Sequence, residues 1–215
     1  MSERPTPFEG VPASVLWLAG SICVAHVLMQ FAPDMLRRLV LFDLAVIPAR
    51  YQMGAGDGGF AGPWDAVAPL AGHVFLHSGW LHLFFNMVML LQAGPLTVEG
   101  LGADRPLRLW ALFFLSAVGG ALCYIWINPG SPNPAVGASG AVSGMFAAYL
   151  WAAFQVGPAT AAMRRAILLT GVGFLVVNVG LAAAARIAGV FPIAWEAHLG
   201  GFAAGLILYP VLARR

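Results

Sequence analysis

Apolar residues fall into six runs of about twenty, at 11–31, 80–98, 107–127, 135–157, 166–185 and 191–213. A helix of ~20 residues rises ~30 Å, the thickness of a bilayer's hydrocarbon core. The pattern therefore predicts six membrane-crossing helices. The connection between the first two runs, residues 32–79, is the longest by far. A structureless loop of that length is uncommon in a compact domain. It holds apolar stretches at 39–47 and 66–76 around a glycine-rich patch at 54–62, and reads as a partly helical excursion lying in the membrane interface. The fold class expected is an all-α membrane protein, a six-helix transmembrane bundle with a long interfacial first loop. Residues 1–10 form a short N-terminus and 11–213 one membrane domain. The first run is too long for a signal-peptide core and no A-x-A cleavage site follows it, so it is expected to stay attached as a span.

Composition agrees. The chain is 60% hydrophobic and 9% charged, with mean hydropathy +0.82, where a soluble domain carries roughly 25% charged residues. All eleven cations are arginine, and they are scattered, so a nucleic-acid partner is not indicated. With an even span number, both termini share one side. Arg4, Arg105, Arg108, Arg164, Arg165, Arg214 and Arg215 lie there, against Arg37, Arg38, Arg50 and Arg186 opposite. The excess predicts cytoplasmic termini and a multi-pass protein of a bacterial inner (plasma) membrane. Cys23 and Cys123 fall mid-run and read as small buried hydrophobes.

Several polar side chains sit inside these runs: His82 and Asn86 in the second, Ser139 in the fourth and His198 in the sixth. Strongly polar groups at membrane depth are costly unless partnered, and so are functional candidates. All four lie near the start of an even-numbered span. Even-numbered spans begin on the same face, so the four share one shallow level in the non-cytoplasmic leaflet.

Their chemistry is complementary. Ser139 is a candidate nucleophile, flanked in Gly137-Ala138-Ser139-Gly140 by glycines that let a substrate backbone approach. A helix starting there points free N–H groups and a positive dipole end at charge developing beside Ser139. His198 is the candidate base; Glu196, two residues away, lies on another helix face and makes a poor third member. His82 and Asn86, four apart, stack on one face and both donate toward a single oxygen, as an oxyanion hole requires. His73 and His77 lie just outside the span, interfacial or ordering water. Gly137, Gly140 and Gly144 in the fourth run, and Gly200, Gly201 and Gly205 in the sixth, supply the small residues that let helices cross closely. Each feature alone has a bland reading as packing seam, structural histidine or interhelical glue.

His77-x4-His82-x3-Asn86, Gly137-Ala138-Ser139-Gly140 and Ala197-His198-Leu199-Gly200-Gly201, in that order on six spans, resemble the rhomboid family of intramembrane serine proteases, from about residue 64 to the C-terminus. The resemblance implies Ser139 as nucleophile and His198 as base, in a dyad without metal or cofactor. It implies His82, Asn86 and the Ser139 N–H as oxyanion hole, with Gly137, Gly140 and His77 supporting. It further implies a membrane-embedded first loop, a cap at 190–195, span five beside the substrate gate, and single-span or multi-span membrane proteins as substrates. Two positions depart from the family pattern. Ser143 stands where an aromatic residue often packs on the histidine, and Trp64-Asp65 replaces a common Trp-Arg pair. Gly200 and Gly201 are expected to leave room for an aromatic at 143.

Two other readings compete. One is a catalytically weak or inert family member that binds transmembrane helices as a chaperone or adaptor. The other is a haem or metal membrane protein using His26, His73, His77, His82 or His198; the absence of H-E-x-x-H and the shallow level of the in-span histidines weigh against it.

Overall fold

The computed structural model describes residues 10–102, 105–155, 157, 160–189 and 193–213. Among them the chain is all-α: α1 (Ala13–Phe31), α2 (Asp34–Leu44), α3 (Pro63–Gly72), α4 (Trp80–Leu101), α5 (Pro106–Ile127), α6 (Ser139–Gln155), α7 (Ala161–Ile187) and α8 (Trp195–Leu212). Helices α1, α4, α5 and α7 are each long and apolar enough to cross a membrane. Leu28, Phe84, Phe85, Leu115, Leu122, Leu168 and Val176 face outward, an apolar exterior that suits lipid rather than water. The cap expected at 190–195 falls partly on residues 190–192, outside the described residues, as does nearly all of the N-terminus at 1–10.

Helix α6 is the centre of the bundle. It packs against α4, α5 and α8, and ten of its residues are buried, from Gly140 to Ala152. The sequence pattern starts this helix at 135, but the helix begins at Ser139. Residues 135–138 are apolar yet not helical. Ala135 pairs with Val46 in an antiparallel bridge (N···O 2.9 and 3.0 Å), and Gly137 has φ +111°, a left-handed conformation that favours glycine.

The excursion at 32–79 is ordered by α2, α3 and 3-10 turns at Pro48–Tyr51, Ala55–Asp57 and His73–Phe75. It is stitched to the segment before α6: Val46 pairs with Ala135, Ala49 N–H bonds the Ser131 carbonyl at 3.0 Å, and Gly137 N–H bonds the His73 carbonyl at 2.9 Å. Arg50 holds the excursion together. Its guanidinium, 6% exposed as a residue, donates to the carbonyls of Phe42 and Gly58 and lies over the rings of Phe42 and Phe60, 3.8 and 4.3 Å from their centroids. Charge-assisted bonds to two carbonyls and two ring faces satisfy a cation that would otherwise be costly to bury.

Candidate active site

Three helices approach with almost no side chain between them. A Cβ built on Gly201 would meet the Gly140 carbonyl oxygen at 1.9 Å, and one on Gly205 the Gly144 carbonyl oxygen at 2.2 Å. The α6–α8 seam is therefore backbone against backbone. Helix α5 joins it, since a Cβ on Gly120 would reach the Ala197 carbonyl oxygen at 2.6 Å and one on Gly200 the Gly119 carbonyl oxygen at 2.5 Å. The sequence reading paired only α6 with α8; the signal for the third partner was the Gly119-Gly120 pair in α5.

This seam brings the nucleophile and base candidates to one place. Gly140, directly after Ser139, lies against the carbonyl of Ala197, directly before His198, with 3.1 Å from its built Cβ to that oxygen. Ser139 is the first residue of α6 and His198 is in the first turn of α8; both are half-buried. The Ser139 carbonyl accepts from the Ser143 hydroxyl at 2.7 Å. Glu196 is engaged elsewhere, its Oε1 accepting from Asn128 Nδ2 at 3.2 Å.

His82 closes the other side. Its Cε1–Nε2 edge faces Gly137, and a Cβ there would come within 2.7 Å of Nε2. So Gly137 serves twice, by its positive φ and by admitting the imidazole. His82 Nδ1 lies 3.1 Å from the Ser78 hydroxyl, a partner missed in the sequence. Asn86 is buried one turn deeper, and its Nδ2 donates to the His82 carbonyl at 2.9 Å. That bond uses one of the two amide N–H groups.

His77 and His73 line the excursion side. His77 Nε2 is 3.5 Å from the Ala138 N–H, at the limit of hydrogen bonding, and its ring lies 5.0 Å from His82 and 6.0 Å from His26. Burial, then the neighbouring His82 and His26, lower the His77 pKa to about 3. His73 donates from Nδ1 to the Pro69 carbonyl at 2.8 Å, and burial lowers its pKa to about 4. Both rings are therefore neutral near pH 7. His26, buried in α1, packs edge-on against Trp80 at 4.7 Å.

The space expected opposite Ser143 is not there. Ser143 is 3% exposed, Gly201 rests on the Gly140 carbonyl, and Gly200 rests on Gly119 and Cys123. The two glycines seat the backbone of α5 and α6 and the Cys123 side chain rather than open space.

Residues 64–215 match the Rhomboid domain. The chain belongs to the rhomboid family. It is 31% identical over 148 residues to RHOMBOID-like protein 5 of Arabidopsis thaliana, covering 66% of this chain and 43% of that relative. It is 34% identical over 143 residues to RHOMBOID-like protein 4 of the same plant, covering 66% of this chain and 33% of that relative. The chain thus matches less than half the length of either relative. Family membership and the four apolar helices make it a multi-pass integral membrane protein.

Proposed function

We propose that this rhomboid is an intramembrane serine endopeptidase that cuts transmembrane helices near the outer face of the bilayer. Ser139 is the nucleophile and His198 the general base. The observation that carries the reading is the contact of Gly140 with the Ala197 carbonyl, which joins the first turns of α6 and α8 at the two residues the chemistry needs.

In this reading α6 and α8 are also spans, giving six, with α2 and α3 in the interface. The termini are cytoplasmic, on the arginine-richer side of a plasma membrane. A substrate helix unwinds near its outer end, because a helical carbonyl is hydrogen-bonded and shielded. His198 takes the Ser139 proton as the hydroxyl attacks the peptide carbonyl. The oxyanion accepts from His82 Nε2–H, the second Asn86 N–H and the backbone N–H at the α6 start, whose dipole adds to the stabilisation. His198 then protonates the leaving amine, and water releases the acyl group by the same relay.

The test is fluorophosphonate labelling and cleavage of a single-span reporter in membranes, comparing the parent with Ser139→Ala. Labelling and cleavage are expected in the parent and absent in the variant. A parent that binds the reporter but neither labels nor cleaves it is a helix-binding member without catalysis.

A further inference from the structure

His198 has a partner outside the nucleophile and oxyanion groups. Asn178 of α7 places its Oδ1 2.5 Å from His198 Nδ1. The same amide donates from Nδ2 to the Phe174 carbonyl, one turn back, at 2.8 Å. That second bond settles which end of the amide faces the imidazole: the nitrogen is held by its own helix and the oxygen points at the ring. An amide oxygen only accepts, so the proton on the ring belongs to Nδ1. Nε2 then carries the lone pair, as a base toward Ser139 requires.

We propose that Asn178 is the positioning residue of His198, selecting its Nδ1–H tautomer and fixing the ring plane. The proposal rests on the reading of Ser139 and His198 as nucleophile and base. The neighbouring polar groups do not supply this function: Glu196 is bonded to Asn128, and His82 Nδ1 to Ser78. A neutral amide suits the depth, where a carboxylate would be costly to bury. Proton bookkeeping closes without it. Nε2 takes the Ser139 proton, Nδ1–H stays on the ring and its bond to Oδ1 strengthens as the imidazolium forms. When Nε2 passes its proton to the leaving amine, the ring returns to the starting tautomer.

The bond also ties the base to a sparsely packed helix. Only Gly171, Ala182 and Ala185 of α7 are buried. Its aromatic contact is Phe174, tilted against Phe146 at 4.8 Å and stacked on Phe202 at 5.7 Å. The orientation of His198 therefore depends on α7 being seated.

The experiment uses the full chain with Asn178→Leu, which keeps the branched shape and loses the acceptor, and Asn178→Asp, which keeps the acceptor. Asn178→Leu is expected to lower kcat roughly 10-fold to 100-fold, part of the ~10²–10⁴ a general base supplies, with KM and thermal midpoint near the parent's. Asn178→Asp is expected to recover most of the kcat loss while lowering the thermal midpoint, since its carboxylate is costly at this depth. In 15N-histidine-labelled Ser139→Ala, which needs no turnover, His198 is expected as the Nδ1–H tautomer, and as a tautomer mixture once Asn178→Leu is added. Parent-like kcat in Asn178→Leu with an unchanged tautomer overturns the proposal. So does equal loss in both Asn178 variants with a lowered midpoint, which marks a packing residue. A parent without labelling or cleavage, but with the expected tautomer shift, sinks the protease reading and leaves the His198–Asn178 pairing standing.

Discussion

Gly201 of α8 rests directly on the carbonyl oxygen of Gly140 in α6, leaving 1.9 Å for a Cβ. Neither side of this contact has a flexible side chain that gives way. Gly201→Ala must push α8 from α6, and overpacking of a tight seam costs about 1–3 kcal/mol. A lower thermal midpoint and a loss of cleavage are expected together, because the same seam sets the Ser139–His198 approach. Gly173→Ala in α7 is the control: nothing lies within 4 Å of its built Cβ, so midpoint and activity should hold. Matching behaviour of the two variants would refute the seam's role.

How much of this was legible in the sequence depends on the range of the interaction. Spans α4 and α5 start at 80 and 106, within a residue of where hydropathy put them, because burial in lipid is a local property of the run. The start of α6 was misplaced by four residues because its non-helical lead is fixed by a distant partner, Val46. The common level expected for His82, Asn86, Ser139 and His198 rests on span parity alone, and so on α6 and α8 also crossing the membrane. Asn178 did not stand out, since a lone asparagine in a span commonly bonds its own helix, as its Nδ2 does. Its bond to His198 depends on the rotation of α7 against α8, which no local pattern encodes. Arg50 was counted only as a charge, because its carbonyl and ring partners come from both sides of it in an aperiodic loop.

Arg50 is the cation that ties the 32–79 excursion together. Losing the guanidinium leaves the Phe42 and Gly58 carbonyls without their donor and opens the Phe42–Phe60 sandwich. Arg50→Leu is expected to cost about 1–3 kcal/mol and to expose 32–79 to added protease. Arg50→Lys should rescue little, because an ammonium does not reproduce the planar fork. Proteolytic fragment patterns of the two variants against the parent check this; an intact excursion in both would contradict it.

The oxyanion assignment predicts a kinetic split. His82→Ala and Asn86→Ala should each lower kcat by roughly 10²–10³, with much smaller changes in KM, since these donors meet their target only in the transition state. Single-turnover rates with saturating reporter measure it. Parent-like rates in both variants would make the pair interhelical glue.

Acid should destabilise the protein through the excursion histidines. Burial lowers His73 to about 4 and His77 to about 3, below the ordinary value of 6.5. The unfolded chain then binds more protons than the folded one between those values. Stability is full above about pH 6.5 and falls as pH drops toward 4 and then 3. For His73 the ceiling is on the order of 3 kcal/mol. Thermal midpoints from pH 7.5 to 4.5 should decline in the parent. The decline should be shallower in His73→Asn, which does not titrate there; an identical decline would place the acid sensitivity elsewhere.

Ser143 offers the last prediction. One turn below Ser139, it donates its hydroxyl to the Ser139 carbonyl and is 3% exposed. An aromatic ring there would need the space facing α8, but Gly200 and Gly201 are filled by the backbone of α5 and α6 and by Cys123. Adding a ring to a seam of this kind forces the helices apart, at about 1–3 kcal/mol or more. Ser143→Phe is therefore expected to lower the thermal midpoint and abolish both labelling and cleavage. Ser143→Ala removes only the hydroxyl, whose bond to a carbonyl within its own helix contributes about 1 kcal/mol, and should keep both. The pair separates volume from hydrogen bonding. A Ser143→Phe protein that labels like the parent would show that α8 yields to the ring and that the seam is softer than its backbone contacts indicate.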